Sequence, residues 1–207
     1  MNAPTSPTPR DRILETAGPL FYAQGYRAVG IDRIIAESGV AKMTFYKYFP
    51  SKDDLIATYL TDANAGFWQW LNALTTGIDA PKERLEIVFD GIAKLASSAN
   101  CLGCAFAHAA AEFPDRENKA HAAALEHKVA VLDWLNRETT ALNAKNPELL
   151  AWGLMLVMDG AWTAARMFGG GNHAARAGET ARLLIGALED VPGRKQRVER
   201  SGRKARR

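Results

Sequence analysis

The 207-residue chain has two cysteines, Cys101 and Cys104, with only two residues between them. They are too few and too close to form a disulfide framework, so stability has to come from packing. Long apolar runs are missing as well. The longest, Leu149 to Met158, stops at Asp159, whereas a bilayer crossing needs about 20 apolar residues. No Lys or Arg occurs through Pro9 and no apolar stretch follows, so a signal peptide is not expected. These absences make the cytoplasm the expected location and leave the membrane out as a partner. Alternating strand patterns and repeats of solenoid period are absent too.

The chain is 47% hydrophobic and 24% charged, enough apolar content for a sizeable core. Its net charge of +3 hides an uneven distribution. Residues 1–52 hold seven Lys/Arg against four Asp/Glu, and residues 53–193 hold eleven against eighteen. Residues 194–207 then hold eight against Glu199 alone. An acidic body between basic ends directs any polyanion to the ends.

Residues 1–7 read as a loose Pro/Ser/Thr tail, and from there the pattern is helix upon helix. Thr8 as N-cap, Pro9 and Asp11 open a first helix whose apolar face is Ile13, Leu14, Ala17, Leu20 and Phe21, with Gly25 as its stop. Pro19 inside it predicts a kink or a shifted turn. Short helices follow over about 31–38 and 41–49. Ser51 with Asp54 predicts a capping box launching a long helix from Lys52 towards Leu74. Further helices are expected over about 81–97, 102–113, 118–142, 147–168 and 174–188. The fold class is therefore all-α, with about nine helices.

Two short helices joined at Gly39 fit a helix-turn-helix over about 30–49. Ile31, Ile34 and Ile35 face inward on the first, Val40 plugs the corner, and Phe45 and Phe49 lie on the buried side of the second. Lys42, Met43, Thr44, Lys47 and Tyr48 are left outside, with Tyr46 at the margin. Cations for phosphate, hydroxyls for phosphate or base edges and an apolar group for a thymine methyl suit a major groove.

Residues 10–55 resemble the DNA-binding region of the TetR family of bacterial regulators. The resemblance rests on "ILETAGPLFYAQGY", on "IDRIIAESGVAKMTFYKYFPSKDDL" and above all on Phe45-Tyr46-x-Tyr48-Phe49-Pro50-Ser51-Lys52 following Ala36-x-x-Gly39-Val40. It implies that Tyr46 and Lys52 contact phosphates, with Gly30 and Ile31 at the start of the first motif helix also in the interface. The family often has Thr or Ser where Val29 and Gly30 stand, and Gly where Met43 stands. The implied organisation is a DNA-binding domain over 8–56, a ligand-binding and dimerisation domain over 57–191, and a basic tail over 192–207. The implied function is a repressor, not an enzyme. It would bind a palindromic operator as a homodimer and be released by a small apolar effector, without metal or cofactor.

Beyond residue 56 the resemblance is loose. Helix 147–168 is apolar around most of its circumference and must be buried on several sides, with Gly153 and Gly160 permitting close approach. The resemblance implies that it pairs, together with 174–188, with its copy in a second subunit. Candidate pocket residues are Phe67, Trp70, Leu71 and Phe89, then Cys104, His108, Glu112 and Trp134, and finally Met155, Met158 and Trp162. Each serves equally well as core. On one continuous helix Cys101, Cys104 and His108 would share a face, which leaves a thiol or soft-metal sensor open beside simple packing. An enzyme using Cys104, His108 and Glu112 lacks a visible oxyanion site. A DNA-coating protein without effector is a further alternative. The basic tail either adds phosphate contacts or solubilises the chain.

Overall fold

A computed structural model describes residues 7–189, and the expected basic tail and most of the N-terminal tail lie outside that range. Nine α-helices occur among the described residues: α1 (Pro9–Gln24), α2 (Ile31–Ser38), α3 (Lys42–Tyr48), α4 (Lys52–Thr75), α5 (Pro81–Ala96), α6 (Ala105–Glu112), α7 (Lys119–Ala141), α8 (Pro147–Phe168) and α9 (Ala177–Leu188). A single 3-10 turn, His173–Arg176, leads into α9.

Local chemistry sets most boundaries. Thr8 Oγ1 accepts the Asp11 N–H at 3.2 Å and the Asp11 carboxylate accepts the Thr8 N–H at 3.1 Å, a complete capping box. Asn146 caps α8 through the Leu149 N–H, ahead of Pro147 at its first position. Helix α1 runs unbroken across Pro19. Pro19 and Glu15 are both exposed, so the carbonyl that loses its N–H partner faces water. The box expected at Ser51 is only half formed. Ser51 Oγ accepts the Asp54 N–H and donates to the Asp54 carboxylate, whose other oxygen accepts from Lys119 rather than from the Ser51 N–H.

Helix α6 starts three residues later than the sequence predicts. Gly103 sits at φ 99°, in the left-handed region, and breaks the chain direction just before Cys104, which becomes the N-cap. Cys101 thus lies outside the helix, and the shared face expected for Cys101, Cys104 and His108 does not exist. Among the described residues no three His, Cys, Asp or Glu side chains are grouped to hold a metal ion.

Two hydrophobic cores form. One joins α1–α3 to the first turns of α4 through Ile13, Phe21, Ile34, Phe45, Phe49 and Leu55, and extends into Phe106, Phe113 and Ala124 of α6 and α7. The other fills the space between α4, α5, α7, α8 and α9. The boundary expected at residue 56 falls within unbroken α4, where Leu55, Ile56 and Leu60 belong to one core.

Helix α8 is buried on only part of its circumference. Leu150, Leu154, Met155 and Met158 face inward. Leu149, Trp152 and Leu156, spaced for one helical face, are exposed at 56%, 49% and 69%, and Leu183 on α9 at 70%. A Cβ on Gly160 would meet nothing within 4 Å, whereas one on Gly153 would touch Leu184 of α9 within the same chain. No described helix is long and apolar enough to cross a membrane.

Candidate nucleic-acid interface and effector chamber

The turn between α2 and α3 is set by Gly39, whose φ of 65° is left-handed and whose N–H bonds the Ile35 carbonyl. Phe45, fully buried, packs against Phe49 with ring centroids 6.0 Å apart and fixes the roll of α3. That roll turns Lys42, Met43, Tyr46, Lys47 and Tyr48 to the surface, with Thr44 half-buried beside them. Met43 is 82% exposed at the tip, an apolar probe with no intramolecular role. Tyr46 is held edge-on against Phe45. Lys42 makes a long 3.5 Å ion pair with Asp32, both partners well exposed, an interaction weak enough to yield to a phosphate.

Gly30 is the exposed N-cap of α2 and offers no side-chain oxygen, while Ile31 is half-buried against the core. Lys52, at the first position of α4, donates to the Arg27 carbonyl at 3.1 Å. Partial burial holds its pKa below the ordinary lysine value, opposed by Glu112 and Asp53. The sequence-predicted DNA residues of α3 therefore share one outer surface, and Lys52 is held against the α1–α2 loop.

Helix α6 is clamped at its start to α1 and the loop after it, and at its far end to that loop. At its start, the Tyr26 hydroxyl donates to the Ala105 carbonyl at 2.8 Å. The Tyr22 hydroxyl donates to the Gly103 carbonyl at 2.9 Å and accepts the Leu102 N–H at 2.9 Å. Burial pushes the Tyr22 phenol up to about 12, so it stays a neutral donor. At the far end, Glu112 accepts the N–H groups of Tyr26 at 2.9 Å and Arg27 at 2.7 Å. Glu112 is thus a clamp between the two halves of the chain rather than a pocket residue, because both its oxygens are committed to backbone. Glu112→Ala is expected to lower stability by about 2 kcal/mol, chiefly through the half-buried Tyr26 N–H left without an acceptor. Glu112→Gln, retaining one acceptor, should recover about half of that loss in a urea titration.

A chamber of about 350 Å³ lies between α1, α4, α5, α6, α7 and α8. Phe67, Cys104, Met158 and Trp162 line it as the sequence predicts, and His108 lines an adjoining cavity. Trp70, Leu71, Phe89, Trp134 and Met155 line neither of these two. Leu71, Phe89, Trp134 and Met155 are buried in the second core, and Trp70 packs against it, with its ring over Gly91. Helical periodicity marks such residues as inward-facing but cannot separate filled core from cavity wall.

The missed wall residues include Tyr22, Leu95, Cys101, Phe106, His127 and Lys128. His127 stacks on Phe106 with centroids 3.6 Å apart, meets Phe67 edge-on and shares a 2.7 Å hydrogen bond with Asn64. Burial and the Lys128 charge push its pKa down to about 4, leaving it neutral. A histidine that must stay neutral when folded but titrates near 6.5 when unfolded stabilises the fold fully above that value. Its contribution fades as pH falls from about 6.5 towards 4. His108, held low by burial and Arg166, acts in the same direction. Thermal midpoints should therefore fall across this window, with a shallower slope in His127→Gln.

The chain's relatives bear on both regions. The family model described as bacterial regulatory proteins, tetR family, matches residues 13–59. Over 48 residues the chain is 44% identical to the HTH-type transcriptional regulator YxaF of Bacillus subtilis, a match covering 23% of this chain and 25% of the relative. LmrA of the same organism is 42% identical over 48 residues, 26% of its length. The matched stretches thus span about a quarter of these curated relatives. The solved structure of SCO4454, a TetR-family transcriptional regulator from Streptomyces coelicolor, is similar along nearly its whole length. It shares 30% identity at a TM-score of 0.81, covering 88% of this chain and 96% of that one. A TetR-type regulator from Streptomyces avermitilis is 29% identical at a TM-score of 0.71, covering 87% and 98%.

Proposed function

Since the chain belongs to the TetR family of bacterial regulators and is a helix-turn-helix transcriptional regulator rather than an enzyme, we propose that it is a homodimeric repressor that grips palindromic operator DNA when empty and releases it when a small apolar molecule fills the chamber. The observation that carries this reading is the outer face of α3, where Lys42, Met43 and Tyr46 are exposed, with Thr44 half-buried beside them, on a helix anchored by buried Phe45. A rigid short helix presenting cations, hydroxyls and one apolar tip is suited to base edges and phosphates. Gly30, Ile31, Lys47, Tyr48 and Lys52 complete the proposed DNA face.

The unpaired apolar stripe of α8 and α9 supports a second copy as partner. Two recognition helices about 34–36 Å apart would then enter successive major grooves. Release would be a shift in population. Helix α4 runs from Lys52 beside α3 to Phe67 in the chamber wall, so a molecule that prefers a different chamber shape also biases the setting of α3.

The test is selection of bound sequences from random duplex DNA by the full-length protein. The expected product is an enriched inverted repeat with half-site centres about one helical turn apart, or a multiple of it. Recovery of DNA with no enriched sequence would overturn operator recognition and favour a DNA-coating role. A thiol-responsive variant of the same function has one supporting observation: Cys101 and Cys104 are both free and both line the chamber.

A further inference from the structure

A second cavity adjoins the apolar chamber across Trp162. Beyond this indole and the Cys104 sulfur lies a vestibule of about 380 Å³, bordered by Ala107, His108, Asp159, Thr163, Arg166 and Met167. Cys104 and Trp162 are the residues that border both spaces. Both spaces are lined mostly by apolar surface, but their charged groups differ. The chamber is walled by the rings of Phe67, Phe106, His127 and Trp162, with Lys128 at its border. The vestibule carries His108, Asp159 and Arg166.

Those groups do not cancel. Asp159 holds the ammonium of Lys128 in an ion pair, so its charge is already answered. Glu112, one turn beyond His108 on α6, has both oxygens on the N–H groups of Tyr26 and Arg27. Arg166 has no carboxylate within ion-pair distance among the described residues. The close approach of the Gly103 loop to α8 brings the base of its side chain near His108. A Cβ at residue 103 would lie 3.1 Å from His108 Nε2, 3.1 Å from the Trp162 carbonyl and 3.2 Å from Arg166 Cβ. His108 and Arg166 both border the vestibule, alongside Trp162. Arg166's own charge helps to keep His108 neutral, so at neutral pH the uncompensated charge of the vestibule is that of the guanidinium.

We infer that the effector is an aromatic carboxylic acid: its ring system occupies the chamber, and its carboxylate passes Trp162 to be held by Arg166, with His108 as second donor. A guanidinium presents two parallel N–H groups to a carboxylate, which adds geometric selectivity to the charge attraction. An apolar amide of the same shape fills the chamber equally well but leaves Arg166 without an anion. The inference rests on the effector-chamber reading given above and adds the acidic group.

Calorimetric titration of the full-length protein at pH 7 with matched probes tests it. Phenylacetic, 1-naphthylacetic and 4-biphenylacetic acids are each compared with their primary amides. The best acid is expected to bind about tenfold or more tighter than its amide, and Arg166→Gln to bring the acid down to the amide while leaving the amide unchanged. Arg166 is exposed, so this variant should melt like the parent protein. Equal binding of acid and amide overturns the acid assignment, and an acid preference that survives Arg166→Gln overturns Arg166 as its anchor; either leaves the chamber standing. If no probe of either kind binds, the chamber reading falls and the acid inference falls with it.

Discussion

Replacing Lys42, Thr44 and Tyr46 together with alanine will abolish sequence-specific DNA binding, lowering affinity for the selected operator by about a hundredfold or more in each half-site. A well-made base contact is worth about 1–3 kcal/mol of discrimination, and each lost phosphate contact adds a uniform loss that scales with salt. Lys42 is exposed, Thr44 half-buried, and Tyr46 touches Phe45 only edge-on from the surface, so the thermal midpoint should fall by a few degrees at most. Both affinity and its salt dependence should therefore drop in a filter-binding series at several ionic strengths. Retained operator affinity in a folded triple variant would remove α3 as the reader. Met43→Ala makes a finer comparison: it should relax preference at a single base position without changing the salt slope.

Leu156→Glu combined with Leu183→Glu should prevent the proposed dimer from forming, weakening self-association by about a thousandfold or more. Both leucines are about 70% exposed in the isolated chain, so the substitutions cost the monomer little. In a two-fold interface each change occurs twice, placing four carboxylates in an apolar contact. At a cost on the order of 1 kcal/mol or more apiece, the sum reaches about three decades in Kd. Sedimentation velocity at micromolar concentration reads the outcome, and affinity for the full palindrome should decline in parallel. An unchanged dimer would move the partner surface away from α8 and α9.

The order and type of the helices were legible because each boundary has its own local chemistry. The Thr8 box, the left-handed Gly39, the Asn146 cap and Pro147 each act within a few residues. Helix α3 was legible for the same reason, since Phe45 and Phe49 four residues apart decide its roll. The start of α6 was not, because it depends on Gly103 turning the loop against α8, a contact between residues about sixty positions apart. The chamber was legible only in part. Phe67, Met158 and Trp162 carry the right periodicity, but so do Phe89 and Met155, which the second core fills. Whether an inward side chain meets a neighbour or a void depends on the angles between helices, and periodicity does not contain these. Tyr22 shows the same limit: it reads as part of the DNA-binding segment, and only the fold brings it to the chamber.

The Tyr22 phenol lies on the first helix of the operator-reading unit, yet it forms part of the surface that a small molecule would touch, tied to the loop at Gly103. The proposed reader and the proposed sensor therefore share a side chain. On that proposal, a hybrid regulator made by grafting another family member's first fifty residues onto this chain would receive a new operator preference and a remodelled inducer spectrum together. Keeping the original inducer would require Tyr22 and Tyr26 to travel with the sensor half.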